Sequence, residues 1–472
     1  MADTAPALER FHTGRVVMLA TVAALGGFLF GFDTAVINGA VVAVRDAFGM
    51  GAGLTGFVVS SALLGCIVGA YLAGRLADRW GRIRVMVLAA VLFTVSAVGS
   101  GLAFGPVDLI VWRVVGGVGV GAASVIAPAY IAEISPAAVR GRLGSLQQLA
   151  IVTGIFVALL SDAMLAGIAG GAAEDLWFGL EAWRWMFLAE VVPALAYGVL
   201  SLQIPESPRY LVAKGEPERA QQVLGQVLIT GVRERIEEIR RTVTLESRAA
   251  FSDLRRPGGR GLLPIVWVGI ALSVFQQFVG INVIFYYSST LWQSVGFTEE
   301  DALTQTVVTS VTNIVVTVVA IALIDRIGRR RLLLIGSAGM FVMLGALAVV
   351  FGTADLVENA DGVLEPVLGD TAGVVALLAA NGFVVFFGMS WGPAVWVLLG
   401  EMFNNRIRGT ALGLAAAAQW LANFAISTSF PALAELGLSF AYGFYTLFAL
   451  LSLVFVARFV PETKGRQLED MA

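Results

Sequence analysis

The sequence predicts an all-α membrane protein of twelve transmembrane helices in two six-helix bundles, with short cytoplasmic helices between the halves. Three observations lead there. Of the 472 residues, 58% are hydrophobic and only 14% are charged, against roughly 45–50% and ~25% in a soluble globular chain. The apolar residues gather in runs of about 20, the length a helix needs to cross a bilayer. Landmarks of the first half also recur, in the same order, in the second. Disorder, a secreted disulfide scaffold and an ordinary cytosolic enzyme fit this composition poorly. Cys66 is the single cysteine, so no internal disulfide forms, and the redox compartment stays open. The only histidine, His12, rules out a His-rich metal site or an imidazole proton relay. A net charge of −3 gives no basic field for nucleic acid.

Six runs lie in the first half, near 17–40, 54–75, 84–104, 107–131, 143–168 and 184–204. Six lie in the second, near 262–290, 303–325, 332–352, 372–399, 409–430 and 438–459. They are too long for the ~10-residue strands of a membrane barrel. Backbone groups in lipid must bond internally, which leaves helices. Arginine sets the orientation. Arg75, Arg79, Arg82 and Arg84 follow span 2, and Arg140 and Arg142 follow span 4. Arg326, Arg329, Arg330 and Arg331 follow span 8, and Arg406 and Arg408 follow span 10. Both termini and the even-numbered loops are therefore expected in the cytoplasm. Residues 1–16 are polar and the first run is long enough to stay as a span, so no cleavable signal is expected. Residues 205–260 are charged at helical spacing and read as short cytoplasmic helices. The expected divisions are 1–204, 205–260 and 261–472. Glycines at 116, 117, 119 and 121 lie inside an apolar run and read as close helix packing, not a nucleotide loop.

The repeat is specific. Asp78-Arg79-Trp80-Gly81-Arg82 after span 2 is echoed by Asp325-Arg326-Ile327-Gly328-Arg329 after span 8. Glu133 precedes Arg140 by seven residues, and Glu401 precedes Arg408 by seven. Pro205-Glu206-Ser207 ends span 6, and Pro461-Glu462-Thr463 ends span 12. Two such bundles can rock about a central site. The charged landmarks are expected to form ion pairs and helix caps that latch the bundles when the cytoplasmic side is closed. Positive-inside topology with capping is the simpler alternative, but it explains the arginines alone.

The ordered set resembles the sugar porter branch of the major facilitator superfamily. It runs from Gly26-Gly27-Phe28-Leu29-Phe30-Gly31-Phe32-Asp33, through both Asp-Arg-x-Gly-Arg loops, Pro205-Glu206-Ser207-Pro208-Arg209 and Gln276-Gln277-Phe278-Val279-Gly280-Ile281-Asn282, to Pro461-Glu462-Thr463-Lys464-Gly465. Bacterial glucose permeases and the xylose–proton symporter look most similar. The excess of Arg over Lys suits a bacterial source. The resemblance implies the major facilitator fold in a cell membrane, a small-molecule sugar as partner, lipid around the spans, no cofactor, and a monomer.

A pyranose offers neutral hydroxyls and an apolar ring face, which call for amides and aromatic planes. Charge is costly there. The spans supply Gln148, Gln276, Gln277, Asn282, Asn313, Gln419 and Asn423, with Trp396 after Gly392-Pro393, and Trp420. Gly280 can loosen span 7. In the family these amide and tryptophan positions line the sugar cavity, with Phe30 and Tyr286 beside them. Simple bonding between helices is the competing account of such amides. The xylose symporter's second span-5 glutamine is Ile155 here. That weakens the case for xylose, and D-glucose is favoured.

Asp33 lies within span 1, and a carboxylate inside a membrane is a functional candidate. Arg113 in span 4 is the only buried-looking base in the first bundle's spans. The resemblance makes Asp33 the proton acceptor and Arg113 its answering base, with protons as coupling ion. Glu190 joins them, or belongs instead to the cytoplasmic charges near Arg140. Facilitative carriers typically have asparagine where Asp33 stands. A facilitative uniporter, a xylose or galactose symporter, a drug–proton antiporter and a non-transporting sugar sensor are the rivals. The amide cluster argues against the antiporter, and the short tail against the sensor. No nucleophile–base pair or metal cluster in the spans suggests an enzyme.

Overall fold

Proline and back-bonding hydroxyls decide where the apolar helices of this chain break. The structure, a computed structural model, describes residues 10–136, 139–245, 251–256, 261–358, 364–403 and 407–462. The first crossing is α1 (Thr13–Ala35) and α2 (Ile37–Ala47), bent at Val36. Thr34 Oγ1 donates to the carbonyls of Phe30 (2.8 Å) and Gly31 (3.2 Å) just before the bend, a back-bond that bends helices. Next come α3 (Ala52–Trp80), α4 (Arg82–Gly101), α5 (Pro106–Ile134) and α6 (Arg140–Ala169). A small hairpin, β1 (Asp175–Trp177) and β2 (Leu180–Glu181), leads into α7 (Ala182–Ala189) and α8 (Val191–Ser201), the sixth crossing. Its break at Glu190 follows from Pro193, which cannot donate to the carbonyl of Ala189.

Between the halves run α9 (Pro208–Ala213), α10 (Pro217–Val227) and α11 (Val232–Leu245), the short helices expected there. His12 N–H donates to Val227 O and Ile229 N–H to Arg10 O, tying this segment to the start of α1. The second half opens with α12 (Pro264–Phe278) and α13 (Ile281–Gln293), split at Gly280, whose φ of 85° is left-handed. Then follow α14 (Glu299–Ile327), α15 (Arg329–Gly352) and a second hairpin, β3 (Asp355–Glu358) with β4 (Leu364–Val367). The tenth crossing is α16 (Asp370–Met389) and α17 (Trp391–Met402), broken at Ser390 because Pro393 strands the carbonyl of Met389. α18 (Arg408–Glu435) and α19 (Leu438–Phe459) complete the chain.

Ten crossings are long and apolar enough to span a membrane. The sixth is cut at Glu190, and α18 is diluted by Gln419, Asn423 and its hydroxyls. Large apolar side chains such as Val107, Val192 and Leu378 stay exposed on the outer helix faces, as a lipid-facing surface requires. Small residues set the inner packing. A β-carbon at Gly117 would lie 1.8 Å from Ala62 O, and one at Gly121 would lie 2.2 Å from Cys66 O, so α3 and α5 touch backbone to backbone.

Among the described residues, the hydrogen bonds that join the halves lie at the end opposite the arginine-rich loops. There Ser60 and Thr428 share a 2.6 Å hydrogen bond, and Ala172 N–H donates to Glu299 Oε1 at 3.0 Å. Asn38 on α2 donates to Phe285 O and Ser288 Oγ, both at 2.9 Å. It also accepts from Ser289 N–H (3.2 Å) and Ser289 Oγ (2.5 Å) on α13. Phe57 meets Phe424 edge-on with ring centroids 6.1 Å apart.

Gly117→Val forces α3 from α5 and is expected to cost about 1–3 kcal/mol, read as a lower thermal midpoint in detergent. Gly74→Ala, with open space around it, should leave the midpoint unchanged.

Candidate functional site

Two polar clusters lie deep in the helices, one in each half. In the second half, the breaks of α12–α13 and α16–α17 are tied together. Gln276 Nε2 donates to Trp391 O at 2.8 Å. Trp391 is itself held by a 2.9 Å bond from its Nε1 to Ser337 Oγ. Trp391 O belongs to the first turn of α17, so the glutamine amide adds a second donor to a helical carbonyl and fixes α12 against α17. Gln277 donates to Gln276 Oε1 at 3.4 Å and accepts from Asn282 Nδ2 at 2.5 Å, so three amides form one chain across the Gly280 break. Asn423 accepts from Ser427 Oγ at 3.0 Å and neighbours the buried Tyr286. Gln419 Oε1 is buried without a partner among the described residues.

Phe30 of the first half packs on Trp420 of the second, with centroids 5.6 Å apart and planes 47° tilted. Asn313 is buried beside Gly388. Gln148 and Gly392 are half-buried, and Trp396, 42% exposed, is the most open of the set. Gln148 and Asn313 make no described hydrogen bond to the amide chain. The cluster carries donors, acceptors and aromatic faces but no charge, which suits a small neutral polyhydroxyl ring.

The other cluster is charged. Asp33, Arg113 and Glu190 are each 1–2% exposed and lie within electrostatic reach of one another. The expected pairing of guanidinium with carboxylate is not made in this state. Arg113 Nη1 donates instead to the backbone carbonyl of Asp33 (3.4 Å), and Nη2 donates to that of Val59 (3.3 Å). Asp33 Oδ2 and Glu190 Oε1 have no hydrogen-bond partner among the described residues. Glu190 thus sits with Asp33 and Arg113. Two acids and one base become neutral on taking up one proton, the cheapest state for a buried site.

At the arginine-rich end, each half repeats one design. Arg82 forks onto Glu133, Nε to Oε2 at 3.0 Å and Nη2 to Oε1 at 2.9 Å. Arg329 Nη2 donates to Glu401 Oε1 at 2.8 Å. Glu206 caps α4 by accepting from Arg82 N–H (2.9 Å) and Ile83 N–H (3.2 Å). Glu462 caps α15 through Arg329 N–H (3.0 Å) and Arg330 N–H (3.2 Å). A carboxylate there also offsets the helix dipole. Asp78 stands 3.6 Å from Arg82, and Arg79 and Arg326 are exposed. The side chains of Arg140, Asp325 and Arg408 lie outside the described residues, as do residues 463–465. Each described pair stays within one half.

Sequence reasoning missed two buried polar groups. Asn38 clamps the halves; its signal was an amide inside the first apolar run. Asp162, 0% exposed on α6, has no side-chain partner for either oxygen among the described residues; its signal was the one that exposed Asp33.

The Arg82–Glu133 pair is nearly buried, so breaking it leaves a stranded charge worth about 3–5 kcal/mol. Glu133→Leu is expected to destabilise strongly. Arg82→Leu with Glu133→Leu should cost clearly less than the two single changes summed, in a double-mutant cycle of unfolding. Additive losses would show the pair uncoupled.

Comparison with known proteins agrees with this layout. The family model for sugar (and other) transporters matches residues 19–472. The chain is 59% identical over 471 residues to a glucose transport protein of Synechocystis sp., covering 99% of each chain. It is 37% identical over 499 residues to the D-xylose-proton symporter of Escherichia coli, covering 98% of this chain and 96% of that one. The inward-open structure of the xylose transporter XylE from E. coli superposes with a TM-score of 0.80 at 36% identity, over 97% of this chain and 99% of that one. XylE bound to 6-bromo-6-deoxy-D-glucose gives 0.76 at 37% identity, over 97% and 98%. Twelve crossings in two repeated halves, a neutral amide cluster and a matched family model lead to one assignment: the chain is a transporter, not an enzyme, and belongs to the sugar porter family of the major facilitator superfamily.

Proposed function

We propose that this protein imports a monosaccharide, D-glucose foremost, together with a proton by alternating access. One observation carries the reading: the neutral amide cluster and the buried acid–base cluster are separate. A neutral sugar and a proton thus have different seats in different halves. Identity of 59% to a glucose transport protein supports glucose. Proton-coupled xylose and arabinose symporters at 37% and 34% identity support coupling. Ile155, half-buried on α6, offers no hydroxyl partner on that wall. The sugar seat consists of Gln276, Gln277, Asn282, Tyr286, Gln419, Trp420 and Asn423, completed by Phe30, Gln148, Asn313, Gly392 and Trp396 as the halves close.

The arginine-rich loops support a cytoplasmic location for that end and for both termini, with the spans in the cell membrane. The closed end is then extracellular, and the state described opens inward. The bundles span 1–204 and 261–472, joined by the 205–260 linker, and a single chain suffices. With Asp33 protonated, Arg113 turns to carbonyls and the site is neutral, so the loaded carrier can reorient. With Asp33 ionised, Arg113 pairs with it and pins α1 to α5. When the cytoplasmic side closes, the two arginine–glutamate clusters face each other as a latch. A potential adds about 2.3 kcal/mol per charge per 100 mV, enough to bias any step that moves charge across the membrane.

Asp33→Asn is expected to abolish uphill accumulation in vesicles while counterflow exchange persists. Loss of both would make Asp33 structural. Gln277→Ala breaks the amide chain and should weaken sugar binding by about 1–3 kcal/mol, or ~5–150-fold, with membrane insertion unchanged. Equal binding by the variant would remove the amide chain from the sugar seat.

A further inference from the structure

Asp162 has no part in the account so far. It lies on α6, two turns from the end where the halves are closed. Its side chain is 0% exposed; no side chain among the described residues hydrogen-bonds either carboxyl oxygen, and the backbone of Gly39 is the one donor within reach. Asp162 fills the notch left by Gly39, the third residue of α2. A β-carbon at Gly39 would stand 2.5 Å from Asp162 Cβ and 2.8 Å from its Oδ2. Gly39 adjoins Asn38, whose four hydrogen bonds to α13 hold the closed end together. One peptide bond therefore separates a buried acid from the clamp between the halves.

Of the charged groups on elements packed against α6, Asp175 on β1 and Glu300 on α14 are exposed, and the following are engaged elsewhere. Asp33 on α1 and Arg113 on α5 face each other and Glu190. Arg45 and Asp46 on α2 pair at 2.8 Å at the surface. Arg184 on α7 pairs with Glu181, and Glu299 on α14 accepts from Ala172 N–H. An ionised carboxylate with neither partner nor water costs several kcal/mol. Ionising Asp162 in this seat calls for water, and lifting α2 from α6 would admit it while pulling Asn38 off α13.

We propose that Asp162 is a second proton-binding site of this transporter, a carboxyl that must be protonated for α2 to seat and the Asn38 clamp to close. The proton is taken up from and returned to the same side, so it gates the cycle without adding to the transported charge. The closed state binds one proton more than the open state. The closed-to-open ratio therefore falls as pH rises, by up to about tenfold per pH unit. Asp162 is thus a positioning residue: it acts on the clamp and touches no sugar. The proposal rests on the alternating-access reading but not on Asp33 as the coupling site.

The test is a distance measurement across the closed end. Cys66 is buried and is replaced by Ser. Spin labels go at Gly53→Cys, which has open space around it, and Leu436→Cys, 72% exposed. Both are read in liposomes without sugar, from mildly acidic to mildly alkaline pH, in an Asp33→Asn background. The short-distance population is expected to shrink with rising pH. Adding Asp162→Asn should hold it short at every pH. A flat profile before that change, or the same slope after it, overturns the proposal; the second result would hand the proton to Glu190 or another group. Should the Asn variant fail to fold, Gly39→Ala decides. It crowds Asp162 out of its notch and should leave the distance long throughout, and an unchanged profile overturns the proposal. If Asp33→Asn has lost sugar exchange, the coupling role of Asp33 fails, while the distance profile still decides for Asp162.

Discussion

Inside a bilayer a polar group has only the protein to bond to, and that constraint organises this molecule. It forces the backbone into helices, so that each irregularity must be answered by a side chain. Just past the Ser390 break, Gln276 reaches Trp391 O at the start of α17 and braces it. The Gly280 break is bridged by Asn282 and Gln277. On the proposed reading, the amides that would bind sugar also brace the broken helices, so structural need and recognition would share the same atoms. A seat built this way is neutral, half-formed and able to exchange partners with hydroxyls at little cost.

The same constraint explains why acids are few and isolated. Asp33, Glu190 and Asp162 are all buried with at least one carboxyl oxygen unpartnered among the described residues. Such groups are expensive where they stand, and taking up a proton is the least costly relief. Asp33 and Glu190 share their relief with Arg113, which can swing between carbonyl and carboxylate. Asp162 has no such base and can be relieved only by a proton or by movement of α2. On the proposed reading, proton binding and helix position are linked at two depths: in the core of the first bundle, and beside the clamp that closes one face. The contrast between ends completes the picture. The Asn38 and Ser60 contacts join the halves at one face, whereas the Arg82–Glu133 and Arg329–Glu401 pairs stay within their halves at the other.

Much of this was legible in the sequence because lipid imposes simple rules. Run length gave the crossings, and paired motifs the repeat. Gly280 announced the break in the seventh crossing. Other breaks were harder to see. Pro193 and Pro393 act four residues upstream, on carbonyls that no motif marks, and the bend at Val36 rests on Thr34 bonding within its own helix. The composition of the site was readable as amides, yet which amides touch was not: the Gln276–Trp391 bond joins residues 115 apart. Arg113 was read as Asp33's partner, and in the state described it bonds carbonyls, because a static sequence holds no conformation. Asp162 carried the same signal as Asp33 and was passed over, since only the fold shows it against Gly39.

The most direct test of a shared sugar–proton cycle needs no mutation. Vesicles holding the purified protein, with no potential or gradient, receive glucose, with xylose and galactose as parallel additions, while external pH is followed. The account predicts alkalinisation on adding glucose, as each sugar enters with a proton. Labelled glucose entering with no pH change would contradict it, making the protein a facilitator and Asp33 a structural charge.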